Sequence, residues 1–246
     1  MADQIEGRNP VVECLARKQR AVKRVWLDGG AKPDRRVTRI LELAREAGVP
    51  VERVDRQELD RRAQGRVHNG VIAMADSLPQ WTTRSLLEAV HARGEDPFLL
   101  VADELQYEHN LGAILRSGLG FGLHGVVIPT RRGADVTPVV SRVSMGGVEA
   151  VPVVREAMHA ALKHVRDAGV RIVGADMDGA PIHSLDLRGP VALVMGGEGR
   201  GLTDVVRAKC DVIAAIPLNG DVESLNVSVA ASILMYEKQR QESMGR

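Results

Sequence analysis

Short apolar runs alternating with helix-length amphipathic segments constrain this chain more than any other feature. "VKRVWLD" (22–28), "VPVERV" and "GVIAMAD" read as strands. Between them, "PDRRVTRILELAREAG" (33–48) reads as a helix, with Ile40, Leu43, Ala44 and Ala47 on one face and Gly48 as its stop. "RQELDRRAQG" reads as a short helix, so a small α/β unit ends near Asp76. A second series follows: "FLLVADE" (98–104), "GVVIP" (125–129), "AVPVV", "VRIVGAD", "VALVM" (191–195) and "DVIAAIP" (211–217) as strands. Its helices fall at 110–121, at "EAMHAALKHVRDAG" and at the C-terminus. Strands alternating with helices predict an α/β fold, a parallel sheet covered on both faces. Residues 77–97, between the series and bounded by Pro79 and Pro97, are expected to form a linker around a helical patch. The domains read as 1–76, the linker 77–97, and 98–246.

Composition narrows the class. The 44% apolar fraction suffices for a packed core, and no run of 18 apolar residues suggests a membrane span. The N-terminus lacks a signal-peptide pattern, and Cys14 and Cys210 form neither a disulfide framework nor a metal spacing. A reducing cytoplasmic setting is expected, with both thiols buried and no metal. Net charge is +1, but residues 1–76 hold 16 Lys/Arg against 12 Asp/Glu, with arginines at 35, 36, 39, 53, 56, 61 and 62. Such arginines suit phosphate recognition and equally suit a solvated helix face. With 2% aromatics, base stacking is not the main means of holding a nucleic acid.

Three loops follow strands of the second series. "MGGEGRGL" (195–202) is glycine-rich, so backbone amides can approach a ligand. Its glycines at 196, 197, 199 and 201 do not fit the dinucleotide fingerprint, and Leu202 stands where a P-loop requires Lys. A nicotinamide dehydrogenase is thereby disfavoured. Glu198 would repel a polyphosphate and could instead accept from a hydroxyl or sit near a cation. "HNLGAILRSGLGFG" (109–122) places Asn110 as a helix cap and Arg116 within the helix, either salt-bridged or anion-facing. Gly112, Gly118 and Gly120 weaken that helix and suggest close packing or an approaching ligand. "PLNGDVESLNVSVAASILMYE" (217–237) opens the last helix, with Ser224 as its expected N-cap and Asn226 in its first turn. The C-terminal ends of parallel strands are where open α/β folds bind ligands.

Together "NLGAILR" (110–116), "LVMGGEGRGL" (193–202) and "IPLNGDVESLNVSVA" (216–230) closely resemble the three motifs of the SpoU (TrmH-like) branch of the SPOUT RNA methyltransferases. "IEGRNPVVECL" (5–15) and "VHNGVIA" (67–73) resemble the small ribosomal-protein-like α/β substrate domain of the bacterial 23S ribosomal RNA guanosine-2′-O-methyltransferases. The resemblance covers essentially the whole chain. It departs in "LQYEHN", where the family has Asp-Pro, and in "SMGGVEAVPV" (144–153).

This resemblance implies a C-terminal SPOUT domain with a deep trefoil knot, a homodimer, and S-adenosyl-L-methionine as methyl donor. It implies 2′-O-ribose methylation of RNA, a 23S rRNA guanosine first, with a tRNA methyltransferase or a non-catalytic RNA-binding protein on the same fold as alternatives. The catalytic set it implies is Asn110, Arg116, Glu198, Ser224 and Asn226; the donor set is Gly196, Glu198, Gly199, Ile216, Leu218 and Leu225. Small residues Ser228, Ala230, Ala231 and Ser232 would let the last helix pack tightly, with Leu225, Val229 and Ile233 as its apolar line.

Overall fold

The computed structural model describes residues 2–30, 34–131, 133–197, 201–220 and 224–245. Two compact units divide them: residues 1–79 with 137–150, and residues 80–136 with 151–246.

In the first unit β1 (Ala2–Glu6) leads into α1 (Arg8–Arg17), β2 (Val22–Asp28) into α2 (Arg35–Glu46), β3 (Val51–Val54) into α3 (Arg56–Ala63), and β4 (Val71–Asp76) closes the series. The sheet order is β1-β4-β2-β3, with β4 antiparallel to both neighbours and β2 parallel to β3. Strand side chains alternate between faces, so Val25 and Leu27 meet Val11, Leu15, Ile40 and Leu43 of α1 and α2. Trp26 and Ile72 point the other way, onto Leu59 and Ala63 of α3. Asp34 and Asp55 cap α2 and α3 by accepting from the amides of Val37 and Glu58.

The second unit begins with α4 (Thr83–His91), followed by β5 (Phe98–Ala102), α5 (Glu108–Phe121) and β6 (Gly125–Ile128). The chain then contributes α6 (Pro138–Val143) and α7 (Gly147–Ala150) to the first unit. It returns for β7 (Val153–Arg155), α8 (Met158–Asp167), β8 (Arg171–Pro181), β9 (Val191–Met195), α9 (Asp204–Arg207), β10 (Val212–Ala215) and α10 (Val227–Met244). The six strands are all parallel, in the order β10-β8-β9-β5-β6-β7. Every residue of β5 and β9 is buried, which accounts for their unbroken apolar sequences. One face packs on α4, α8 and α9, through Leu86, Leu162 and Val206 among others.

Two boundaries differ from the sequence reading. Residues 77–97 are not simply a linker: α4 buries Leu86, Leu87 and Val90 in the core of the second unit, and Thr82 and Ser85 close a capping box at its start. Residues 137–150, expected in the catalytic domain, belong to the first unit, where Glu149 is buried against Arg20. β1, α1, α6, α7 and α9 had no counterpart in the sequence reading.

Candidate functional site

Because the six strands are parallel, their C-terminal ends share one edge. From β5 the chain steps outward to β6 and β7, and later returns to place β9 on the other side of β5. The point where strand order reverses leaves a crevice between β5 and β9, the usual ligand position in such sheets. The loops after β5 and β9 meet there.

The loop after β9 is closed by two backbone hydrogen bonds, Gly197 to Gly201 at 3.1 Å and Gly201 to Gly197 at 3.2 Å. A Cβ on Gly196 would lie 2.1 Å from the carbonyl carbon of Gly201, so only glycine permits this turn. Glu198 and Gly199 lie outside the described residues. The loop after β5 is stitched to it on both sides. The Asp103 amide donates to Met195 O at 2.9 Å, and the Thr203 hydroxyl donates to Asp103 Oδ2 at 3.3 Å. Asp103 is buried, and burial pushes its carboxyl above the usual carboxylate range; the Thr203 hydrogen bond opposes that shift and the charge of Glu104 adds to it. Beyond the β9 loop, residues 175–179 bulge from β8 on its β10 side and carry Asp176 to within 3.2 Å of a Cβ built on Gly201. Arg207 binds Asp176 at 3.1 Å and forks onto Asp178 at 2.8 Å.

The third loop reaches α5 through a pair of amides. Asn226 Nδ2 donates to Asn110 Oδ1 at 3.1 Å. Asn226 itself caps α10, its Oδ1 accepting from the Ser228 amide at 2.9 Å and the Ser228 hydroxyl at 2.6 Å. This corrects two expectations. Ser224 is exposed and lies outside the helix, since Asn226 holds the cap position. Asn110 is not the cap of α5 but its third residue, buried, with Tyr107 before the helix. Further along, Ser232 Oγ donates to Ser228 O at 2.7 Å and lies 2.8 Å from Ser117 Oγ, so the small residues of α10 do pack closely on α5.

Arg116 is not drawn into this network. It is exposed on α5, without a hydrogen-bond or ion-pair partner among the described residues. Ile216 and Leu225 are half-buried and Leu218 is exposed in the stretch between β10 and α10. The apolar line of α10 also faces elsewhere than the core. Val229 is 47% exposed and Tyr236 55% exposed; with Ala113 and Ile233 they line a groove of about 410 Å³ along α5 and α10. The sequence marks Asp103 and Glu104 only as the end of a strand, and the signal it offers is a pair of acids directly after a fully apolar run. Among the described residues, no three His, Cys, Asp or Glu side chains group to hold a metal, and no helix is long and apolar enough to cross a membrane.

The model of the SpoU rRNA Methylase family matches residues 97–236, and that described as RNA 2′-O ribose methyltransferase substrate binding matches residues 4–81. An uncharacterized tRNA/rRNA methyltransferase of Mycobacterium sp. (strain KMS) is 40% identical over 237 residues, 96% of this chain and 75% of its own length. YacO of Bacillus subtilis, named for the TrmH family of tRNA/rRNA methyltransferases, is 35% identical over 243 residues, 98% of this chain and 96% of its own. The chain belongs to the SpoU rRNA Methylase family. Its fold agrees: the SpoU methyltransferase AviRb from Streptomyces viridochromogenes, solved in complex with AdoMet, has a TM-score of 0.76 and 25% identity, covering 100% of this chain and 92% of that one.

As a member of the SpoU family the chain takes S-adenosylmethionine as methyl donor, and the chemistry of the β9 loop suits it better than a nucleotide phosphate. The β9 loop offers backbone amides and carbonyls without a lysine. The carboxylates of Asp103 and Glu104 border it, which would repel a polyphosphate and suit a cation, while that of Asp176 is paired with Arg207.

Proposed function

We propose that this SpoU methyltransferase transfers a methyl group from S-adenosylmethionine to a ribose 2′-hydroxyl of RNA, a guanosine of 23S rRNA first and a tRNA nucleotide second. The observation that carries the reading is the Asn226–Asn110 hydrogen bond, which ties the start of the last helix to the start of α5. The donor supplies a methyl group already activated on a positively charged sulfur. The enzyme's own task is therefore to place the hydroxyl in line and to stabilise charge developing on its oxygen.

Within this reading Asn110 and Asn226 set the ribose position through their shared bond, and Ser224 helps to orient the ribose. Arg116 clamps the developing alkoxide and a neighbouring phosphate. A guanidinium offers donors and no acceptor, so Arg116 acts by charge and not as the base. Glu198 is the competing acceptor, and single-turnover transfer by Glu198→Gln tests whether it is the base. Gly196, Gly199, Ile216, Leu218 and Leu225 hold the donor, chiefly through backbone groups. The first unit selects the RNA, in keeping with the substrate-binding family match over residues 4–81. The threading of the last loop through a trefoil knot, dimerisation through the α5–α10 groove and a cytoplasmic location complete the proposal.

The test has two parts. Ribose methylation is mapped across 23S rRNA and tRNA from cells with and without the protein; loss at one rRNA guanosine is the expected result, loss only in tRNA selects the second substrate, and no loss anywhere refutes the activity. Single-turnover transfer by Arg116→Ala at saturating donor should then fall by about a hundredfold or more, with donor affinity nearly unchanged. A near-wild-type rate removes Arg116 from the mechanism.

A further inference from the structure

Glu104 is a carboxylate beside the β9 loop that the described residues leave with neither a counter-charge nor a hydrogen bond. Asp176 is neutralised by Arg207, and Asp103 is buried with the Thr203 hydroxyl. Glu104 has no hydrogen-bond or ion-pair partner among the described residues. It stands at the strand-order reversal, and a Cβ built on Gly197 would lie 3.1 Å from Glu104 Cβ and 3.3 Å from its Oε2. The carboxylate is thus laid against the mouth of the loop.

Its backbone carries a second signature. Glu104 has φ +58°, in the left-handed region that crowds the Cβ of a non-glycine residue. Glycine or asparagine would occupy that position with less strain. The hydrogen bonds of Asp103 on one side, and of Ala134 donating to Leu105 O at 2.7 Å on the other, hold the glutamate in that conformation and fix its side chain beside Gly197.

The donor and its product differ in one property that a carboxylate can read. S-adenosylmethionine bears a sulfonium; once the methyl has left, the sulfur is a neutral thioether, so the product carries one positive charge fewer. We propose that Glu104 is a specificity residue whose carboxylate favours the sulfonium-bearing donor over the demethylated product, drawing in the first and releasing the second. The inference rests on the reading that the Gly196–Gly201 loop holds the donor. Glu104 acts on the ligand's charge and takes no proton in the reaction.

Calorimetric titration of the full-length protein with S-adenosylmethionine and, separately, with S-adenosylhomocysteine tests this. Glu104→Gln keeps the shape and removes the charge; donor affinity should fall about tenfold while product affinity moves less than about twofold. Added salt should erode the donor preference of the wild type and leave that of Glu104→Gln unchanged. Glu104→Gly should lose the same preference while its thermal midpoint holds or rises, a combination that a merely structural role cannot produce. Equal losses for both ligands, or an unchanged ratio in Glu104→Gln, overturn the inference alone. Wild-type protein that binds neither ligand overturns the donor-site reading and the inference with it.

Discussion

Arg20 and Glu149 form an ion pair whose removal has a calculable cost. Their side chains are 6% and 3% exposed, and the guanidinium forks onto the carboxylate, Nε donating to Oε2 at 2.9 Å and Nη2 to Oε1. Nη1 also donates to Asp3 Oδ2 at 2.8 Å and to Asp76 O at 3.1 Å. Arg20→Met would leave the Glu149 carboxylate in the interior of the first unit without its cation, at a cost of about 3–5 kcal/mol. Glu149→Gln keeps an acceptor for Arg20 and loses the charge-assisted bond, which is worth roughly 1.5–3 kcal/mol. Arg20→Met with Glu149→Leu removes both desolvated charges, so the double variant should be more stable than Arg20→Met by at least about 2 kcal/mol. Urea unfolding can follow the first unit through Trp26, its only tryptophan, in a Trp81→Phe background. That background is mild, because Trp81 Nε1 is buried without a partner among the described residues. Hydrogen exchange over residues 138–150 should accelerate in Arg20→Met and recover in the double variant. Singles that cost under about 1 kcal/mol, or a double variant as unstable as the sum of its singles, would refute this account of the pair.

Two further outcomes follow from the same structure. Burial first, and then the charge of Glu149, push the Cys14 thiol up to about 12 from 9.0, and burial pushes Cys210 to about 11. The native thiols therefore keep their protons where an unfolded chain loses them: iodoacetamide labelling at pH 8.5 should require unfolding, and stability should decline as pH rises from about 9 towards 12. Fast labelling of Cys14 in native protein would contradict its burial. Val229→Asp places a charge in the α5–α10 groove; under the proposed dimerisation, light scattering should find a dimer for the wild type and a monomer for the variant, and a dimer that survives the substitution places the interface elsewhere.

The parts of the fold legible in the sequence are those whose burial is uniform. β5 and β9 are covered on both faces, so "FLLVA" and "VALVM" declare themselves by apolar continuity. α2 shows a one-sided pattern and an aspartate cap, and was bounded to within two residues. β1 and α1 escaped because an edge strand with one well-buried side chain, Ile5, and a helix with Pro10 in its first turn carry weak periodic signals. The glycines of α5 split: a Cβ on Gly118 would meet Leu123 at 2.9 Å, whereas Gly120 has open space around it.

The site shows the same division at finer grain. Motif spacing located the three loops, because each follows a strand and the strands are parallel. It did not decide between Ser224 and Asn226 as the cap of α10, since both side chains offer the same oxygen to an amide. The choice is made by Asn110, 116 positions earlier in the chain, whose Oδ1 accepts a hydrogen bond from Asn226 Nδ2 and so leaves the Asn226 Oδ1 facing Ser228. Glu104 is the limiting case. Nothing in "VADELQY" announces a left-handed backbone, because strain of that kind is imposed by the neighbours that hold the residue and not by the residue itself. Local pattern therefore finds the loops that carry this family's motifs, while the contacts that join them, Asn226 to Asn110 and Thr203 to Asp103, emerge only when loops far apart in the chain are brought to one edge of the sheet.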